Sequence, residues 1–226
     1  MKQLACALLL TMTTPALAVI PMTAETERSF DFALSAGKTE TEFTYTGAAI
    51  VDTTVEFVEL SWYERIYAGV DIGLHLGKTF LSQTNRAATA GLDPNGTHIG
   101  VGVRALFLGT SPIQPFVHAL YYYRRVEETD GSDSVTLAWH EPRLRLGITM
   151  APWGPLRVYA GADWSAVDGS ERVSGTMSST TDFERDGSVS GFLGLDFTID
   201  ATGFIGVEAH TGDAGNGVGI YFKRRY

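Results

Sequence analysis

From Ser29 to the end of the chain, apolar residues recur at every second position, the period imposed by the two faces of a β-strand. Between Ala68 and Gly77, Val70, Ile72, Leu74 and Leu76 fall on one face, and Gly69, Asp71, Gly73, His75 and Gly77 on the other. From His98 to Phe107, Ile99, Val101, Val103, Ala105 and Phe107 oppose His98, Gly100, Gly102 and Arg104. Arg143 to Met150 and Leu156 to Ser165 repeat the pattern, and helical spacing is hard to find. The alternation predicts ten strands, at about Arg28 to Gly37, Thr53 to Glu64, Tyr67 to Leu81, Thr97 to Leu108, Gln114 to Val126, Val135 to Met150, Leu156 to Val167, Ser188 to Ile199, Phe204 to Thr211 and Gly217 to Tyr226. Eight strands with one hairpin outside the wall is the alternative. Lys38 to Asp52 reads as an extension of the first hairpin. Val135 to Glu141 has the opposite parity to the residues from Arg143 onward, which a bulge at Pro142 would reconcile.

What occupies the polar face decides the architecture. Solvent-facing positions in a soluble sandwich are typically Thr, Lys, Glu and Ser, whereas here Gly is interleaved with Arg, Asp, His and Tyr. That mixture suits the interior of a narrow barrel whose apolar face meets lipid, because small residues make room for long charged ones that pair across the lumen. The fold class expected is therefore all-β, an antiparallel up-and-down transmembrane β-barrel. A charge left alone in such a lumen is costly, so Arg104, Arg143, Arg145 and Arg157 are expected to find partners among Asp71, Asp163, Asp196 and Glu208, with His75 in the same network.

The connections alternate in length. Glu64 to Ile66, Gly109 to Gln114, Ala151 to Pro155 and Asp200 to Gly203 are short, while Ser82 to Gly96, Glu127 to Ser134 and Asp168 to Gly187 are longer. Short turns on one side and long loops on the other are the habit of outer-membrane barrels. Aromatic residues at strand ends predict two interfacial girdles: Trp62, Tyr67, Trp153 and Tyr226 on the short-turn side, and Tyr121, Tyr123, Trp139 and Trp164 on the other.

At the C-terminus, Val218, Ile220 and Phe222 alternate up to the terminal aromatic Tyr226. This resembles the assembly signal that ends bacterial outer-membrane β-barrel proteins, with Arg224 at a normally apolar position and Tyr in place of the usual Phe. The resemblance implies recognition by the barrel assembly machinery, contact with outer-membrane lipid and lipopolysaccharide, and residence in the outer membrane of a Gram-negative bacterium.

The mean hydropathy is +0.03, as expected where lipid-facing and lumen-facing residues alternate. The formal charge of -9, from 26 acidic and 17 basic residues, argues against nucleic acid as a partner. Lys2, the apolar run Leu4 to Met12 and Ala16-Leu17-Ala18 read as a cleavable export signal over residues 1–18, leaving 19–226 as the barrel domain. The single cysteine, Cys6, falls within that signal.

Candidate chemistry is sparse. The glycines of Gly100-x-Gly102 lie inside a strand with no helix after them, and Asp130, Asp133 and Asp93 to Gly96 fit turns better than a calcium loop. No metal and no cofactor is expected, and the extracellular ligand is left open. The favoured reading is a non-enzymatic barrel with a lumen largely filled by side chains such as Tyr122, Arg124 and Tyr159, serving envelope structure, surface interaction or restricted passage of small solutes. The alternative is an outer-membrane hydrolase or acyltransferase using His98, His210, Glu208, Asp163, Asp168 and Ser165 near the extracellular rim, where an imidazole held by a carboxylate would activate a serine or water.

Overall fold

A computed structural model describes residues 30–47, 49–107, 112–176 and 178–226, with the side chains of Pro152 and Trp153 outside the described set. The proposed export signal over residues 1–18 therefore lies outside the described residues. Ten antiparallel strands close into a barrel: β1 (Phe30–Tyr45), β2 (Ala49–Tyr67), β3 (Val70–Gln83), β4 (Asn95–Leu106), β5 (Ile113–Asp130), β6 (Asp133–Trp153), β7 (Leu156–Ser174), β8 (Ser179–Thr198), β9 (Gly203–Gly212) and β10 (Asn216–Arg225). Each strand pairs with its neighbour in sequence, and β1 pairs with β10 from Asp31↔Arg225 to Glu40↔Asn216. Among the described residues the strands number ten, not eight.

The outer surface carries the apolar residues. Leu34, Leu60, Leu76, Val101, Leu146, Leu193 and Ile220 are each half or more exposed, an arrangement that water would penalise and hydrocarbon would not. On β5 the belt runs from Ile113 to Tyr123, about the 9–11 residues with which a tilted strand crosses a hydrocarbon core. Above it, Arg125 and Glu127 face outward as an exposed ion pair at 3.3 Å. Aromatic rings edge the belt: Phe30 stacks on Tyr226 (5.3 Å between centroids) and Phe32 on Trp62 (6.3 Å) below, and Tyr121 bonds to His140 above. Arg224, the departure from the terminal pattern, faces outward and reaches Asp200 at 3.6 Å on the neighbouring turn.

Several strands run well past the belt. Asp168 to Gly187, expected as a loop, is instead mostly β7, which runs on to Ser174, and β8, which begins at Ser179, and the expected link from Glu127 to Ser134 shrinks to the turn at Gly131 and Ser132. In this extension the polarity of the two faces is reversed. Outside stand Asp168, Asp182 and Glu184, exposed, while Val135, Leu137, Trp139, Val167 and Phe183 are buried inside. This also corrects the expected bulge at Pro142. The β5–β6 register passes without a shift from Tyr122↔Glu141 through Tyr121↔Pro142 to Leu120↔Arg143, and Val135, Trp139, Glu141 and Arg143 all point inward. Parity is kept; what changes at that height is the outer solvent, lipid below and water above. Trp139 accordingly is no girdle residue: it is 1% exposed, at the centre of an apolar core with Phe43, Val55, Leu81, Val126 and Leu137.

Candidate functional site in the lumen

Below that core the lumen is polar. β2 points Phe57, Glu59, Ser61 and Tyr63 inward, β3 adds His75 and Thr79, β4 His98, and β5 His118, Tyr122 and Arg124. Glycines on adjacent strands give the rings space: a Cβ on Gly73 would lie 2.4 Å from the Tyr63 ring, and one on Gly100 would lie 2.5 Å from Tyr122.

These side chains form one hydrogen-bonded chain. Glu59 Oε1 lies 2.7 Å from His75 Nδ1, and its Oε2 lies 3.1 Å from His98 Nε2. His75 Nε2 is 2.7 Å from the Tyr63 hydroxyl, which is 2.5 Å from His118 Nε2. A carboxylate only accepts, so with neutral imidazoles both histidines donate to Glu59. Tyr63 then donates to His75 and accepts from His118, while Thr79 Oγ1 donates to His98 Nδ1 at 2.9 Å and accepts from Arg124. Donors thus run toward Glu59 from both ends. Glu59, Tyr63 and His118 were not singled out by sequence, although the period-two parity of β2 and β5 puts them on the lumen face.

Ion pairs fill the rest. Arg104 binds Asp71 through Nε at 2.7 Å and also Asp31; Arg143 binds Asp163; Arg145 binds Glu208 at 2.7 Å. Arg157 departs from expectation. Among the described residues it has no carboxylate within 4.0 Å, because Lys223, inward-facing on β10, takes Asp196 at 3.7 Å.

The rim constellation does not assemble. His98, Asp163 and Ser165 are 3% exposed or less and lie inside the barrel below the apolar core, because the strands continue past the height taken as the rim. His98 bonds to Glu59, His210 to Thr39 at 3.4 Å, and Glu208 to Arg145. Ser165 Oγ accepts from Arg185 Nη2 at 2.6 Å, and Asp168 faces outward, exposed. Asp163, Ser165 and His210 do line one small cavity of about 40 Å³, but there Arg143 binds Asp163, Arg185 donates to Ser165, and His210 bonds to Thr39, so the three are not bonded to one another.

Of the girdle residues, Trp62, Tyr67, Tyr121, Tyr123, Trp164 and Tyr226 are outward and exposed. The side chain of Trp153 lies outside the described residues. Val218, Ile220 and Phe222 face outward on β10, which closes the barrel against β1.

No family model and no curated protein matches this sequence. Among solved structures, the outer-membrane protease OmpT from Escherichia coli superposes with a TM-score of 0.50 at 10% identity, over 88% of this chain and 96% of that one. The translocator domain of the autotransporter NalP from Neisseria meningitidis gives 0.52 at 11% identity, over 100% and 97%. Identity this low speaks to the fold alone, and with the outward apolar belt it makes this chain a ten-stranded transmembrane barrel built like those of the Gram-negative outer membrane.

Proposed function

We propose that this chain is an integral outer-membrane barrel, closed to solute flow, that holds a rigid β-extension above the membrane as a surface for envelope structure or interaction. The observation that carries the reading is the apolar core of Phe43, Val51, Leu81, Leu137, Trp139 and Phe183, which fills the barrel where a pore would open. A hydrophobic core packed from wall to wall excludes water and hydrated ions. Wide porins use 16 to 18 strands to keep a channel open, and ten strands leave no such width.

Export through the signal at 1–18, delivery by the barrel assembly machinery through the Val218, Ile220, Phe222 and Tyr226 pattern, and contact with lipopolysaccharide belong to the same proposal. Lys38, paired with Glu40 at 2.8 Å, and Lys78 support the last of these, since both face outward at the upper edge of the apolar belt, where basic side chains meet anionic lipid headgroups. The experiment is reconstitution into planar bilayers. The expected result is no sustained conductance; steady currents of porin size would overturn the closed-barrel reading.

A further inference from the structure

Under the apolar core lies a cavity of about 350 Å³, within the size range of small-molecule sites. Thr39, Phe57, Arg124, Arg143 and His210 line its upper end and stand between it and the apolar core, and toward the other end its Arg104 is 27% exposed. With the apolar core closing the barrel above that layer, access to the cavity runs from the Arg104 end, the periplasmic end of an outer-membrane barrel.

The charges at that mouth do not balance. Arg65, Arg104 and Arg225 share two carboxylates, Asp31 and Asp71. Arg157 and Lys223 share one, Asp196. Each cluster carries one positive charge more than its acids, although the whole chain is formally -9. Arg157 is the sharper signal. It lines the cavity, faces Asp196 across the β7–β8 ladder without a hydrogen bond or a carboxylate within 4.0 Å among the described residues, and lies 5.8 Å from the Phe204 ring. Thr149 Oγ1, buried and without a hydrogen-bond partner among the described residues, lines the same cavity. Beside these groups stand the Phe116, Tyr159 and Tyr221 rings.

We infer that the pocket is a periplasm-facing binding site for a small organic anion, an aromatic or apolar body carrying one carboxylate or phosphate. The anionic group sits between Arg157 and Lys223, with the body against the aromatic wall. Excess positive charge at a low-dielectric mouth draws anions in and strengthens the contact once water leaves. Binding of this kind requires no opening at the extracellular end.

The test is isothermal titration calorimetry on the purified barrel in detergent at low salt, with benzoate as the carboxylate probe and phenyl phosphate as the phosphate probe. Saturable one-site binding of either is expected, and the tighter of the two identifies the headgroup. Arg157→Gln should weaken it about tenfold or more, and Arg157→Lys should keep most of it. Asp196→Asn, which removes the one shared acid, should tighten it, a direction that damaged folding does not imitate. Lys223→Gln serves as a second loss-of-charge variant if Arg157→Gln fails to fold. No saturable binding of either probe, unchanged affinity in the charge-removing variants, or weaker binding in Asp196→Asn would each overturn the assignment.

Discussion

Tyr45 of β1 pairs with Phe183 of β8, a strand separated from it in the membrane by β9 and β10. β9 stops at Gly212 and β10 starts at Asn216, so above that height β1 crosses to β8 and the ring narrows. Thr46 N donates to the Asp182 carbonyl at 2.9 Å and seals the seam. The narrowed ring is what lets a few side chains fill it. Phe183 stacks on Phe43 at 5.0 Å and meets Trp139 at 6.3 Å, one edge to the other's face.

Truncating that contact removes the centre of the stopper. Phe183→Ala is expected to cost about 3–5 kcal/mol, the usual range for a large aromatic deleted from a packed core. Urea unfolding of the refolded protein reads it as a lower midpoint. A loss below about 1 kcal/mol would mean that the extension repacks freely and that the core is not the lock described above.

The pair of Arg143 and Asp163 makes the opposite kind of test, because its worth lies in its completeness. Asp163 is 2% exposed, and its carboxylate also lies 3.5 Å from Arg145 Nε. Asp163→Asn leaves two guanidiniums under-compensated in the lumen and is expected to destabilise by about 3–5 kcal/mol. The double replacement Arg143→Met with Asp163→Leu should recover most of that loss. Urea midpoints of the single and double variants decide it; a double variant no better than the single would show that Arg145, which also leans on Asp163, and Glu141, which also leans on Arg143, cannot do without the pair.

Gly73 and Tyr63 show why glycine is so frequent on the inward face. A methyl on Gly73 would lie 2.4 Å from Tyr63 Cε1, so Gly73→Ala must move the ring that links His75 to His118. Overpacking of this kind costs about 1–3 kcal/mol. Imidazole nitrogen shifts of His75 and His118 should change in the same variant, whereas Gly47→Ala, at a turn with open space around it, should leave them as they are.

How far the sequence reveals this barrel depends on height. Within the belt, Leu74 and His75 or Val101 and Gly102 sort unambiguously, since one face meets lipid and the other a crowded polar lumen. Above it, Leu137 and Trp139 turn inward while Thr136 and Ala138 turn outward, the same period with its polarity exchanged. An alternation that switches sign looks like a slipped register, which is why Pro142 drew the suspicion of a bulge. Site partners are a different matter. Parity alone puts Glu59 on the lumen face of β2, but that it meets His75 and His98 depends on the stagger between β2, β3 and β4. Arg157 shows the same limit, because its expected partner Asp196 faces it across β7 and β8, yet Lys223 from β10 reaches that carboxylate.

The turn between β7 and β8 supplies a pH test outside the membrane. Asp133, at the start of β6, accepts a hydrogen bond from the Thr176 backbone N–H at 2.7 Å, tying this turn to the one between β5 and β6. Gly175, at φ +127°, permits the approach, since a Cβ there would fall 2.1 Å from Asp133 Oδ1. The Thr176 N–H favours the charged carboxylate and holds its pKa below the ordinary Asp value of 3.8. A depressed carboxyl pKa contributes stability above the unfolded value, and the contribution disappears as pH falls through the folded one. The tie should therefore be intact at neutral pH, begin to weaken only below about pH 3.8, and be absent in stronger acid. The Thr176 amide resonance, followed by NMR from pH 6 downward, should titrate with a midpoint under 3.8 in the native protein and show no such step in Asp133→Ala. A midpoint at or above 3.8 would mean that the carboxylate is free in solution and that the two turns move independently.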